Sequence, residues 1–154
     1  MNMTGKAQTK TTLIILGLIF ASVFSLVGCT VKASDKELVY LDDGQLLAAV
    51  QRHEGNMLLI DTRNEEEYAR GTIPGAVNVQ LRDIQPAEAR SRFGKYKRII
   101  VFADNPGSPR AAAVSKRLIA AGLSGVETYL PGYEGWLNLQ KSAGQNQGKK
   151  TDGE

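Results

Sequence analysis

Two stretches of this chain put polar and charged side chains directly after apolar runs. Asp61-Thr62-Arg63 follows Met57–Ile60, and Asp104 to Arg110 follows a run ending at Ala103. A guanidinium at a helix start, beside free backbone N–H groups, is a setting that favours an anion. Asp104, Asn105, Gly107, Ser108, Arg110 and Ala111 therefore form a candidate anion-binding loop. Pro106 and Pro109 oppose that reading, because each removes an N–H donor. In the plainer assignment Ser108 caps a helix, Pro109 fills its first turn and Arg110 is a surface residue. Ser108 as a nucleophile needs a nearby base. The single histidine, His53, lies on another segment, where it suits a solvated last helical turn. Asp61 can accept N–H bonds from the adjoining loop, and Arg63 can pair with Glu66 or Glu67, a structural role at the site's edge. The only thiol, Cys29, lies in neither stretch.

Cys29 sits instead behind a segment with its own logic. Lys6 and Lys10 give a positive start without acidic residues, and Leu13–Val27 is apolar apart from two serines and one glycine. That layout is an export signal, and its apolar run is shorter than the roughly 20 residues a spanning helix needs. Leu26-Val27-Gly28-Cys29 closely resembles the lipobox of bacterial lipoproteins. The resemblance implies cleavage before Cys29 and a diacylglyceryl group on its sulfur, hence a lipid anchor in a membrane. Thr30 rather than aspartate follows, which in a Gram-negative cell implies the outer membrane, facing the periplasm.

Residues 1–28 are thus expected to be a signal peptide, 29–36 a tether, 37–140 the domain and 141–154 a polar tail. The tail is rich in Gly, Gln, Asn and Lys and carries too little apolar surface to order itself. The formal charge of +3 includes Lys6 and Lys10; without them 17 basic residues face 16 acidic ones. No run of Lys or Arg points to nucleic acid. An acylated Cys29 leaves no thiol for a disulfide, and no His/Cys cluster suggests a metal or other cofactor.

Within the domain, apolar segments alternate in type. Asp43 can cap a helix carrying Leu46, Leu47 and Val50 that stops near Gly55. Met57–Ile60 reads as a buried strand. Asn64 and Glu67 have capping-box spacing and open a short helix ending at Gly71. Ala76–Val79 is a strand after the Pro74-Gly75 turn, and Pro86 opens a helix through Phe93. Arg98–Ala103 is a second buried strand. Ser108-Pro109 opens an Ala-rich helix to Ala121, stopped by Gly122. Val126–Leu130 is a further strand and Tyr133–Leu139 a short last helix, in which Trp136 packs in the core and Tyr133 sits at the rim. Buried strands between helices predict an α/β domain with a mainly parallel sheet covered on both faces. Ligands of such sheets bind beyond the carboxyl ends of the strands, where both polar stretches fall.

The motifs together resemble the rhodanese family. Leu58-Leu59-Ile60-Asp61-Thr62-Arg63 is similar to its strand and Asp-x-Arg end. Glu67-Tyr68-Ala69-Arg70-Gly71-Thr72-Ile73-Pro74-Gly75-Ala76-Val77-Asn78-Val79 resembles its Gly-His-Ile-Pro-Gly-Ala signature, with Thr72 in place of the histidine. Ile99–Ala103 resembles the strand entering the active-site loop. Leu130-Pro131-Gly132-Tyr133-Glu134-Gly135-Trp136 resembles the Gly-Gly-x-x-x-Trp ending, with Pro131 for the first glycine. The resemblance runs from Tyr40 to Leu139 and implies a five-stranded sheet with helices on both faces. It also implies a departure, because the family's nucleophilic cysteine falls on Ala103 or Asp104, neither of which can carry sulfur. The expectation is a lipid-anchored, extracytoplasmic, rhodanese-like protein without sulfurtransferase activity, binding a protein partner or a small oxyanion. The alternative is an enzyme using a non-cysteine route, either sulfur transfer or phosphate-ester chemistry of the related cell-cycle phosphatases.

Overall fold

A computed structural model of the chain describes residues 33–52 and 55–148. The expectations for the export signal, for Cys29 and for His53 lie outside those residues. Five strands form one sheet: β1 (Val39–Leu41), β2 (Met57–Asp61), β3 (Ala76–Asn78), β4 (Arg98–Phe102) and β5 (Val126–Tyr129). Their order is β1-β5-β4-β2-β3 and every pairing is parallel. Parallel neighbours need crossovers, and the helices supply them. These are α1 (Asp43–Arg52), α2 (Glu65–Ala69), α3 (Pro86–Phe93), α4 (Arg110–Ala120) and α5 (Gly132–Gly148). Single 3₁₀ turns precede β1 (Asp35–Glu37) and follow β3 (Leu81–Asp83).

The two central strands read as unbroken apolar runs because both their faces are covered. Leu58, Ile60, Ile99 and Val101 pack with Phe93 of α3 and with Val114 and Leu118 of α4. Leu59, Ile100 and Phe102 alternate to the other face and pack with Leu46 of α1 and Trp136 of α5. Strand periodicity thus divides one sequence run between two cores. Tyr129 is fully buried in the second core, and its hydroxyl donates to Asp43 Oδ1 at 2.7 Å, tying β5 to the start of α1. Burial and that hydrogen bond together push the phenol far above its ordinary pKa.

Local signals place the ends of the elements. Asn64 Oδ1 accepts the Glu67 N–H at 2.8 Å, and Glu67 Oε2 accepts the Asn64 N–H at 3.0 Å, a complete capping box. Pro86 occupies the first turn of α3. Beyond α4, Gly122 adopts φ +80°, and the N–H groups of Gly122 and Leu123 return to the Ile119 and Leu118 carbonyls.

Some expectations need correction. The polar segment from Lys141, expected to remain without order, continues α5 as far as Gly148. Trp136 anchors the helix in the core, and adding turns to an existing helix avoids the cost of a new nucleus. The tether contributes to the domain, since Ala33 is buried and Asp35 pairs with Lys116 of α4. Ser108 does not cap α4: Pro109 holds the N-cap position and gives no side-chain hydrogen bond.

Candidate functional site

At the carboxyl edge of the sheet, β2 and β4 end side by side, with Asp61 opposite Phe102. The chain leaving β2 stays tied to the end of β4, because the Thr62 N–H and hydroxyl both donate to the Phe102 carbonyl, at 3.0 and 2.9 Å. Next to this junction Asp61 and Arg63 are buried against each other. Arg63 Nη2 lies 2.6 Å from Asp61 Oδ2, and Nε and the backbone N–H of Arg63 reach Asp61 Oδ1, both at 3.0 Å. The Thr72 hydroxyl donates to the same carboxylate at 2.7 Å, and Arg63 Nη2 also donates to the Gly71 carbonyl at 2.6 Å. The guanidinium lies 4.1 Å from the centre of the Tyr133 ring. Charges can be buried when each donor and acceptor is met, as here. Arg63 therefore pairs with Asp61 and not with Glu66 or Glu67, which go to Arg70 and Arg110. A helix-surface partner would leave Asp61 charged and alone in the interior.

The loop after β4 is held by the start of α5. The N–H groups of Tyr133 and Glu134 donate to the Ala103 and Asp104 carbonyls at 2.8 and 2.9 Å. Gly132 makes this approach possible: it adopts φ +65°, and a Cβ there would stand 2.7 Å from the Ala103 carbonyl oxygen. Ala103 is buried, Asp104 half-buried, and neither carries a thiol. The loop then satisfies its own donors. The Gly107 N–H goes to Asn105 Oδ1 at 3.0 Å and the Ser108 N–H to the Asn105 carbonyl at 3.1 Å. With prolines at 106 and 109, four of its positions offer no free N–H to an anion. Ala111 is buried beneath the start of α4.

Arg110 is the exposed cation of this loop, and two carboxylates face it. Its Nη1 lies 2.8 Å from Glu67 Oε2 and 3.3 Å from Asp104 Oδ1. Glu67 is held below the usual carboxylate range, first by the Asn64 N–H and then by the Arg110 guanidinium. Arg110 is pushed up by the hydrogen bond to Glu67. Asp104 moves the other way: partial burial raises it, outweighing the attraction of Arg110. The candidate loop is thus a closed triad of one guanidinium between two carboxylates. The sequence marks Glu67 as a helix cap and a candidate partner of Arg63; its pairing with Arg110 depends on a contact spanning 43 positions.

The rhodanese-like domain family model matches residues 44–139, most of the described chain. The chain belongs to the rhodanese-like domain family. No curated protein sequence matches it. Among solved structures, a Bacillus halodurans protein superposes with a TM-score of 0.61 at 22% identity, covering 68% of this chain and 75% of that one. A single-domain sulfurtransferase of Saccharomyces cerevisiae gives 0.53 at 18%, covering 69% and 94%. A Rhodopseudomonas palustris protein described as a possible tyrosine phosphatase gives 0.57 at 19%, covering 68% and 83%. These likenesses concern the fold. In this rhodanese-like domain, the family's Asp-x-Arg and Gly-x-Ile-Pro-Gly segments meet in one buried network, with Thr72 as a hydrogen-bonding member. The single cysteine of the chain is not in the loop after β4.

Proposed function

We propose that this protein is a lipid-anchored, extracytoplasmic, rhodanese-like binding module without sulfurtransferase activity, and that its carboxyl-edge face receives a protein partner. The observation carrying the proposal is the loop from Ala103 to Arg110. It has no thiol to form a persulfide, and its one guanidinium already faces Glu67 and Asp104. The same loop disfavours a small oxyanion, which would meet few free N–H groups around Arg110. The lipobox-like segment ending at Cys29 supports the anchor, and none of the described helices is long and apolar enough to cross a membrane.

Titration of the full chain in detergent with sulfate, phosphate and thiosulfate, read by NMR, tests the choice of ligand. The expected result is no shift confined to residues 104–113 at tens of millimolar. Such shifts, absent in Arg110→Ala, would restore the small-oxyanion reading. For the anchor, Cys29→Ser is expected to release the domain from membranes or leave the precursor uncut; unchanged processing and detergent partitioning would overturn it.

A further inference from the structure

Little free tether remains between Cys29 and the domain, because the end of that segment is already part of the fold. Ala33 is buried, the Ser34 hydroxyl accepts the Lys36 N–H at 3.3 Å, and Asp35 pairs with Lys116 of α4. The 3₁₀ turn Asp35–Glu37 then leads through the buried Leu38 into β1. Ala33 stands four positions after Cys29. Four residues reach at most about 14 Å even at full extension. A lipid on the Cys29 sulfur therefore holds this corner of the domain within that distance of the headgroups.

The same corner carries the most exposed large apolar side chains among the described residues. Val39 is 54% exposed and Tyr40 48%. Both lie on β1, an edge strand paired on one side only, with β5. Tyr40 is in register with Thr128, whose hydroxyl meets Ser115 of α4, so Tyr40 points to the sheet face where Asp35 meets Lys116. Val39 points to the opposite face, and a surface approaching the sheet edge-on meets both. Exposed apolar side chains are common and name no partner by themselves. Here the short reach to Cys29 names it. The charges nearby, Asp35 and Glu37 against Lys36 and Lys116, cancel, so headgroup charge does not select the surface.

We infer that the domain rests on the phospholipid surface by its β1 edge, with Val39 and Tyr40 in the interfacial layer. The inference rests on the lipid-anchor reading above and gives the anchored domain an orientation. Tyrosine suits that layer, because its ring is apolar and its hydroxyl stays wet. The edge strand and the carboxyl ends of the strands are different sides of a sheet. This seat therefore leaves the Arg110 loop open to a protein partner.

The test uses the protein recovered from membranes and reconstituted into phosphatidylcholine vesicles that carry a nitroxide-labelled headgroup lipid. With the Cys29 sulfur acylated, a cysteine introduced at the surface is the sole thiol open to an environment-sensitive fluorophore. Val39→Cys and Tyr40→Cys are compared with Val77→Cys on β3, at the opposite edge of the sheet and about 19 Å away at the usual strand spacing. Thermal unfolding midpoints confirm that each variant folds. The labels on β1 are expected to shift to the blue and to lose emission to the nitroxide, and the label on β3 to do neither. Neither change is expected to depend on anionic lipid or on the protein-to-lipid ratio. Equal quenching at both edges, or none on β1, would overturn the seat and leave the anchor standing. A requirement for phosphatidylglycerol in the vesicles would also overturn it, by replacing apolar contact with charge. A blue shift that fades as the protein is diluted in lipid would overturn it by assigning the edge to a second copy of this chain. Label uptake by the parent chain, or failure to float with the vesicles, would overturn the anchor reading and the seat with it.

Discussion

Two arginine–carboxylate groupings stand at the same edge of one sheet, and burial separates their roles. Arg63 and Asp61 are sealed inside, with the carboxylate also met by Thr72 and the guanidinium by Gly71 and Tyr133. Arg110 stands in solvent between Glu67 and Asp104. The chemistry of the pairs is alike. In the interior, losing one partner strands a charge without water, so the pair is a brace. At the surface water replaces a lost partner, so the pair is exchangeable, and exchange is what a binding face requires.

The largest effect expected from this contrast is that of Arg63→Ala. It leaves Asp61 buried and unpaired, and should lower stability by about 3–5 kcal/mol, measured by urea unfolding. A loss below about 1 kcal/mol would place Asp61–Arg63 in the same class as the surface pair. Thr72→Val removes one of the hydrogen bonds to the buried carboxylate while keeping the side chain's shape. Its expected cost is about 1–3 kcal/mol, and a neutral result would mean that Asp61 is satisfied without the hydroxyl. For Arg110→Ala the unfolding midpoint should move little, by less than about 1 kcal/mol.

A finer distinction lies in pH. Glu67 has a lowered pKa in the fold, so its contribution is present above its unfolded value near 4.5 and is lost as pH falls through the lower folded value. Asp104 has a raised pKa, so the fold loses stability as pH rises from its unfolded value near 3.8 through the higher folded one. Unfolding midpoints from about pH 3 to about pH 7 should show opposite trends: the cost of Glu67→Gln fades towards acid, while Asp104→Asn gains on the parent as pH rises. Parallel trends would mean that Arg110 governs both carboxylates equally.

How much of this was legible in the sequence follows the range of the interactions. Asn64 and Glu67 are three residues apart, and the capping box they spell is present. Gly122 stops α4, and Leu58–Asp61 and Ile99–Phe102 lie buried in adjacent parallel strands. The strand Val39–Leu41 escaped the residue reading because it has three residues at a sheet edge, two of them exposed, and so carries no periodic signal. The five-stranded count came from family resemblance. At the site, Asp61, Arg63, Asp104 and Arg110 stand at the expected sheet edge, and Asp61 accepts an N–H from the adjoining loop as expected, yet the side-chain partners were not readable. Thr72 reaches Asp61 through the turn after α2, and Glu67 reaches Arg110 from a different crossover. Side chains far apart in the chain meet only once the sheet has set its strand order.

Sulfur transfer from thiosulfate to cyanide by the full chain is the most direct test of the central claim, that this edge binds and does not react. Thiocyanate should form no faster than in a buffer control. Turnover clearly above that control, and lost in Arg110→Ala, would contradict the account.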